Sequence, residues 1–167
     1  TVDCVPYYLD IKNVELFARH RVYSEIELAA RYKMKLDSYC KITRIEALTM
    51  QEMVWREILP AASRYSKQLC DTALAKAQLG VDDSFEKMQA AKLSSLISDT
   101  VSGVKALAEA SAAADGYSDN YTRAAVFRDK VVPAQEALRK SVDALEMNTA
   151  AEFWPYPTYG EILFSVN

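Results

Sequence analysis

The residues of this chain whose types could carry out chemistry are one histidine, three cysteines and 23 Asp and Glu side chains. His20 lies between Arg19 and Arg21, and that setting favours a surface residue over a catalytic base. A di-iron bundle takes a Glu-x-x-His motif from each of two helices, which a single histidine cannot supply. The residues therefore predict no catalytic, cofactor-binding or metal site. One enzymatic alternative stays open, a small helical enzyme that uses His20 and nearby carboxylates.

The cysteines Cys4, Cys40 and Cys70 lie far apart and are odd in number, which is typical of reduced thiols in a cytosolic protein. Cys40 and Cys70 are expected to be small buried side chains on helices. The four glycines are isolated from one another, so the sequence has no glycine-rich loop of the kind that cradles phosphate.

Composition favours one helical domain with a hydrophobic core. A chain of 167 residues is long enough for such a core, and a hydrophobic share of 50% argues against disorder. With 4 Gly and 5 Pro, the chain has few of the residues that tight turns need, so helices are favoured over strands. The net charge of -3 gives no electrostatic reason to expect nucleic acid, and no run of about 18 apolar residues predicts a membrane span.

The stretch from Ile45 to Leu79 predicts a long helix along which later parts of the chain pack. Pro60 removes a backbone donor and crowds the carbonyl of Arg56, which predicts a kink rather than an end. Gly80 follows at the position of a left-handed C-terminal cap. Small and apolar residues recur every three or four positions and define one face, namely Ala47, Met50, Val54, Ile58, Ala62, Tyr65, Leu69 and Ala73.

Two earlier helices are expected. Asn13 is expected to cap a short one that ends near Arg19. Ser24, with Glu27 three residues later, predicts the start of the next. The β-branched residues near positions 41–45 leave open whether that helix breaks or continues into the long one. Its inner face is predicted at Ile26, Ala29/Ala30, Tyr32/Lys33, Leu36 and Tyr39/Cys40.

Two helices are expected after Gly80. Asp83, in a capping box with Glu86, is predicted to begin the first, which ends near Ala114. Ser118 or Asp119 is predicted to begin the second. Because the links are short, the helices are expected to be antiparallel neighbours.

Within these helices, Gly103 either weakens its helix or marks a close helix approach, and Pro133 predicts a bend. The predicted inner face of the first is Leu93, Ile97, Val101, Val104 and Ala108; that of the second is Tyr121, Ala124, Phe127, Val131, Ala134, Leu138, Val142 and Leu145.

The last residues are apolar and rich in proline. Pro155 and Pro157 block a helix and favour extended backbone. Exposed aromatic side chains are unfavourable in water, so this tail is expected to dock on the helices or on another part of a larger protein. The predicted organisation is a lead-in at 1–22, a helical bundle at 23–150 and a docking tail at 151–167. The fold class is all-α, an antiparallel bundle of about four long helices with an extended tail.

Several blocks of the sequence resemble the C-terminal region of type III glutamine synthetase, over nearly the whole chain. The middle, residues 77–120, shares only helical character with it. The most specific blocks are IEALTM from Ile45, ILPA from Ile58 and WPYPTYGEILF from Trp154; the others are NVELF from Asn13, Glu27-Leu28 with Arg31-Tyr32, and Tyr39-Cys40-Lys41.

This resemblance implies a parent enzyme that joins ammonia to glutamate, driven by ATP through a γ-glutamyl phosphate, with Mg or Mn bound. It implies stacked hexameric rings in the cytoplasm. The family's catalytic glutamates and arginines are expected upstream of Thr1, in keeping with a start at Thr rather than Met. No catalytic residue is therefore carried over, and this fragment alone is expected to be inactive and to bind no cofactor.

The role that the resemblance implies is structural, in assembly. The expected partners are an upstream catalytic domain and neighbouring subunits, with no nucleic acid and no membrane. The alternative is a stand-alone helical module that binds another protein in a groove between its helices.

Overall fold

The computed structural model describes residues 2–157 and 159–164, and in this part of the chain all regular secondary structure is helical. The all-α prediction is therefore confirmed. Five helical rods are present there, and two of them contain a π-helical turn. The rods are α1 (Ile11–Arg19), α2 (Glu25–Met53) joined to α3 (Leu59–Gln78), α4 (Ser84–Asp115), α5 (Asn120–Val126) joined to α6 (Val132–Asn148), and α7 (Tyr159–Phe164). Short 3-10 turns at Val5–Leu9 and Ala151–Phe153 precede α1 and α7.

The long rod does not break near positions 41–45, which settles the question that the sequence left open. α2 runs from Glu25 to Met53 and continues through a π-helical turn into α3. Thr43 is buried between Cys40 and Ala47 on the core side of α2. Burial of this face outweighs the lower helix propensity of the β-branched residues, because tertiary packing supplies most of the stability of protein helices.

Both internal prolines follow a π-helical turn. In the turn at Val54–Ile58, the N–H of Leu59 donates to the carbonyl of Val54, five residues earlier, and Pro60 comes next. In the turn at Phe127–Val131, the N–H of Val132 donates to the carbonyl of Phe127, and Pro133 comes next. Proline lacks an N–H and crowds the carbonyl four residues before it, so a wider turn at that point accommodates it within a continuing rod.

Several predicted helix ends are confirmed. Ser24 and Glu27 form the capping box: the Ser24 N–H donates to the Glu27 carboxylate at 2.7 Å, and the Glu27 N–H donates to Ser24 Oγ at 3.3 Å. Asp119 caps α5 through the Thr122 N–H at 2.8 Å. Gly80 has a φ of 68°, and the Val81 N–H reaches the carbonyl of Lys76, which is the Schellman arrangement.

One predicted cap is wrong, and one predicted capping box does not form. α1 begins at Ile11 with Asp10 at its N-terminal cap, so Asn13 lies inside the helix, where its side chain donates to the carbonyl of Tyr7. Asp83 stands directly before α4, as predicted, and its carbonyl accepts from the Lys87 N–H at 3.1 Å, but the box of Asp83 with Glu86 is absent. The carboxylate of Asp83 pairs with Lys87, and that of Glu86 pairs with Lys76.

The inner face of the long rod is confirmed, with Ala47, Val54, Ile58, Ala62, Leu69 and Ala73 all buried. On α2 the prediction fails at Ile26, which is 82% exposed, while Leu28 is fully buried. On the later helices, Ala108 and Tyr121 are exposed, and Leu107 and Thr100 occupy buried positions instead. At Ile26 and Ala108 the buried position is a neighbour one or two residues away on the same helix.

The chain divides into two compact units, one of Thr1–Thr49 with Leu107–Gln135 and one of Met50–Ala106 with Glu136–Asn167. The core of the first includes Leu28, Leu36, Cys40, Ala47, Leu107, Ala124, Phe127 and Val131; that of the second includes Val54, Ile58, Ala62, Leu69, Leu93, Val104, Leu138 and Leu145. The antiparallel bundle and the three-part organisation at 1–22, 23–150 and 151–167 stay predictions.

The prediction of an extended tail is wrong at its end. Residues 154–157 are irregular, as Pro155 and Pro157 require, but Tyr159–Phe164 form the short helix α7. Neither proline restricts the backbone of residues beyond 158, which are free to adopt a helical turn.

Candidate functional site

The second unit contains an apolar groove of about 480 Å³. That volume lies in the range of pockets that hold small ligands or side chains. Arg139 and Glu146 are the charged residues that line it. Its other walls come from the α2 end, the first π-helical turn, α6 and the tail, namely Met50, Met53, Val54, Ile58, Val142, Trp154, Tyr156, Pro157 and Ile162. We call this surface the tail groove.

Tyr156 places a polar group in the wall of the tail groove. Burial is the main reason why the pKa of Tyr156 is raised to about 12, and the neighbouring carboxylate of Glu57 raises it further. A phenol with this pKa stays neutral at ordinary pH. Tyr156 is therefore not suited to act as an acid or base, and its buried hydroxyl has no hydrogen-bond partner among the described residues.

The start of the tail is held by an aromatic contact. The rings of Phe153 and Tyr65 lie 5.4 Å apart between centroids and are tilted by 39°, a geometry that favours aromatic pairs. Tyr65, on α3, was predicted to face inward and is half-buried. This contact joins Phe153 to α3, and docking of the whole tail stays a prediction.

The first unit contains a polar cluster beside Cys40. The guanidinium of Arg123 donates to Asp37 at 3.1 Å and to Asn120 at 3.2 Å. Asp37 also accepts from Lys41 at 2.7 Å. A small cavity of about 100 Å³ adjoins these residues, which is room for a few waters at most.

The side chains of this cluster have a structural role and not a reactive one. Burial raises the pKa of the Cys40 thiol, which makes it a poor nucleophile because the thiolate is the reactive form. Arg44 is neutralised by Asp115 at 3.1 Å. The cations around this cavity are thus already paired with carboxylates, which leaves no free positive group to bind an anionic substrate.

Apart from Cys40, which lies beside the polar cluster, the cysteines and the histidine line neither that cavity nor the tail groove. Cys40 is buried as predicted, but Cys70 is exposed, so the prediction for Cys70 is wrong. Cys4 is exposed as well. His20 sits just after the end of α1, exposed to solvent, where its backbone N–H donates to the carbonyl of Leu16.

Within residues 2–157 and 159–164, no group of three or more His, Cys, Asp or Glu side chains is placed to hold a metal ion. No helix there has the length and apolarity needed to cross a membrane.

The composition of the tail groove was not predicted from the sequence. Its walls come from positions near 50, 140 and 155; Met50 and Val142 were expected to face inward, and the Trp154 block was expected to dock. The sequence signal that was available is the combination of Met50 and Met53 with the Trp154 block, since methionine and aromatic residues are typical of adaptable binding surfaces.

Taken together, the fold is a helical domain with an apolar groove and with exposed apolar residues near its end. Comparison with known proteins agrees with the sequence resemblance. Residues 1–77 match the family described as Glutamine synthetase C-terminal domain. The chain is thus similar to glutamine synthetases and, over residues 1–77, to their C-terminal domain.

Three relatives are similar over most of the chain. A glutamine synthetase of Butyrivibrio fibrisolvens is 32% identical over 167 residues, covering 98% of this chain and 24% of that protein. One from Bacteroides fragilis is 28% identical over 169 residues, covering 98% and 23%. A type-3 glutamine synthetase of Dictyostelium discoideum is 26% identical over 160 residues, covering 92% and 22%. The chain therefore spans about a quarter of the length of these relatives.

Proposed function

We propose that this chain is the C-terminal helical domain of a type III glutamine synthetase and that it acts in assembly of the enzyme. The whole protein would ligate ammonia to glutamate with ATP and a divalent metal, in the cytoplasm, as stacked hexameric rings. The domain itself would hold no catalytic residue. Its partners would be the catalytic domain of the same chain and neighbouring subunits.

The observation that carries the proposal is the coverage of the matches. Nearly all of this chain aligns with only 22–24% of each relative, so most of each relative's length lies outside the aligned part. One of the three is named as type 3, which supports the type III assignment.

The exposed apolar residues of α7 support a role in assembly. Leu163 is 70% exposed and Phe164 is 79% exposed, on a helix of six residues. A short helix that presents large apolar side chains to water is costly, and a contiguous patch of this kind is typical of a contact surface. Covering these side chains with another part of the enzyme would remove that cost.

The test uses the whole protein that carries this chain. Its mass is measured by light scattering, and formation of glutamine from glutamate, ammonia and ATP is assayed. Leu163→Ser with Phe164→Ser is expected to reduce the mass of the assembly and to lower activity per subunit. Leu74→Ser on α3, which also changes an exposed leucine, is the matched control and is expected to change neither.

Two results would contradict the proposal. One is a whole protein that forms no glutamine under any metal condition. The other is an active enzyme whose mass and activity are both unchanged by the double substitution in α7.

A second candidate is the stand-alone module that binds a partner segment, and the tail groove favours it. The groove is apolar, open and large enough for two or three side chains of a peptide. This candidate predicts a protein without glutamine-forming activity in which substitution of Met53 by Glu abolishes capture of a partner peptide.

A further inference from the structure

α2 carries apolar residues on two opposite faces. Thr43 and Ala47 face the core, whereas Ile45 is 63% exposed and Leu48 is 52% exposed. At about 100° per residue, these two exposed residues lie on the side of the helix opposite the buried pair. A surface helix that packs on one core needs a single apolar stripe, so the second stripe requires a separate explanation.

The exposed stripe has the spacing of a helix-pairing seam. Its positions alternate by four and three residues, which is the heptad spacing of helices that pack side by side. Its centre is the apolar pair Ile45 and Leu48, with a positive charge on one side and a negative charge on the other. In order, the positions are Met34, Ser38, Lys41, Ile45, Leu48 and Glu52.

We propose that this stripe pairs with the same stripe of a second copy of the chain, antiparallel, about a two-fold axis between Ile45 and Leu48. In that register Ile45 packs on the partner's Leu48. Lys41 lies opposite the partner's Glu52, and Glu52 lies opposite the partner's Lys41. One two-fold contact thus has an apolar centre and two ion pairs, which is the form of an isologous interface.

The charges select this arrangement. In a parallel pair, Lys41 would face the partner's Lys41 and Glu52 would face the partner's Glu52, and both juxtapositions repel. Only reversal of one helix makes the stripe complementary to itself. A second copy is therefore the occupant that the pattern fits, and the charge order fixes its direction.

The ion pairs that these residues make within the chain do not oppose the contact. Lys41 pairs with Asp37 at 2.7 Å, and Glu52 pairs with Arg56. All four side chains are at least 37% exposed. Exposed pairs of this kind contribute little to stability, so sharing or exchanging them for pairs across the two-fold axis costs little.

The contact is short and acts best among copies that are already held together. From Lys41 to Glu52 it covers about 12 residues, or roughly 18 Å of helix. Self-association of the isolated chain is therefore expected to be weak, and other contacts of an assembly would strengthen it. For its place in a whole enzyme the inference rests on the proposed function, but its test does not involve glutamine formation.

The test is a charge exchange, followed by sedimentation equilibrium of the 167-residue chain over a range of concentrations. Lys41→Glu and Glu52→Lys each put two like-charged pairs across the axis. Each is expected to weaken self-association about tenfold or more. An equimolar mixture of the two variants places Glu against Lys at both positions, so association is expected to return as a heterodimer.

Lys67→Glu is the control, because it breaks a similar exposed pair with Asp71 on α3. It is expected to leave association unchanged, and circular dichroism confirms helix content in every variant. The proposal is overturned by a wild-type chain that stays monomeric at millimolar concentration. It is equally overturned by single variants that associate normally, or by a mixture that does not recover. Failure of the enzyme assay with normal recovery in the mixture would reject only the proposed function.

Discussion

The Nζ of Lys76, in the last turn of α3, lies 2.6 Å from Oε1 of Glu86 in the first turn of α4. The carboxylate side chain is only 9% exposed, whereas that of Lys76 is 36% exposed. The second carboxylate oxygen of Glu86 is buried without a hydrogen-bond partner. Lys76 is therefore the main compensation for a charge that is largely removed from water.

Substitution of Lys76 by Met is expected to destabilise the chain more than substitution of Glu86 by Gln. The first leaves a buried carboxylate unpaired, while the second leaves a neutral amide that still accepts a hydrogen bond. Urea unfolding followed by circular dichroism measures the difference. Lys67→Met, at an exposed pair, is the matched control and is expected to lie near wild type. Equal unfolding midpoints for Lys76→Met and Lys67→Met would show that the buried pair contributes no more to stability than the exposed pair does.

The same pair predicts a loss of stability in acid. The hydrogen bond from Lys76 lowers the pKa of Glu86 below its ordinary value, against the opposing effect of burial. Because the folded state holds the proton less tightly than the unfolded state, the stabilisation is present above about pH 4.5 and is lost as pH falls through the folded pKa. In unfolding measurements at pH 5 and pH 3, Glu86→Gln should show a smaller decrease than wild type.

Tyr156 predicts a second pH dependence, at the alkaline end. Burial, and then Glu57, raise the pKa of Tyr156 to about 12. Since the unfolded state ionises first, near pH 10, the stabilisation from a neutral Tyr156 is present below that pH and decreases as pH rises toward 12. Absorbance titration near 295 nm should show a tyrosine ionising near pH 12, and this step should be absent in Tyr156→Phe. If Tyr156→Phe keeps the same late ionisation step as wild type, that step belongs to another tyrosine.

Gly103 on α4 predicts opposite effects for two substitutions. A Cβ at this position would lie 3.4 Å from Cδ1 and 3.6 Å from Cα of Leu138, which is ordinary van der Waals contact. Gly103→Ala is therefore expected to stabilise the chain by about 0.5–1 kcal/mol, because glycine is unfavourable within a helix. Gly103→Val adds methyl groups toward α6 and is expected to cost about 1–3 kcal/mol. Thermal unfolding of both variants measures these changes in stability. If Gly103→Ala destabilises the chain, α4 and Leu138 lie too close together to admit a Cβ.

The N-terminal cap of α2 is expected to respond to Ser24→Ala. The Ser24 hydroxyl accepts the Glu27 N–H and donates to the Glu27 carboxylate. Its removal should lower the free energy of unfolding by about 1 kcal/mol. Ser63→Ala on α3 has no cap to lose and is the comparison in the same urea experiment; equal effects of the two would contradict the capping role.

Local signals in the sequence predicted much of the fold. Ser24, Gly80 and Asp119 mark helix ends through hydrogen bonds or backbone angles that depend on a few adjacent residues, and all three are where the sequence placed them. Ile26 shows where prediction from local signals fails. α2 has apolar residues on two faces, and periodicity alone does not reveal which face meets a core that is built from distant parts of the chain. The tail groove could not be predicted for the same reason, because its walls are about 100 residues apart in sequence.

The two π-helical turns determine where the rods tolerate a change in length. Each holds one residue more per hydrogen-bonded turn than an α-helix does. Loss of one residue at Val54–Ile58 or Phe127–Val131 would leave an ordinary α-helical turn, so Leu69 and Leu138 would keep their buried faces. Loss of one residue elsewhere on either rod would rotate every later side chain by about 100°. Homologous genes that differ in length by one codon within a rod should therefore differ at these two segments.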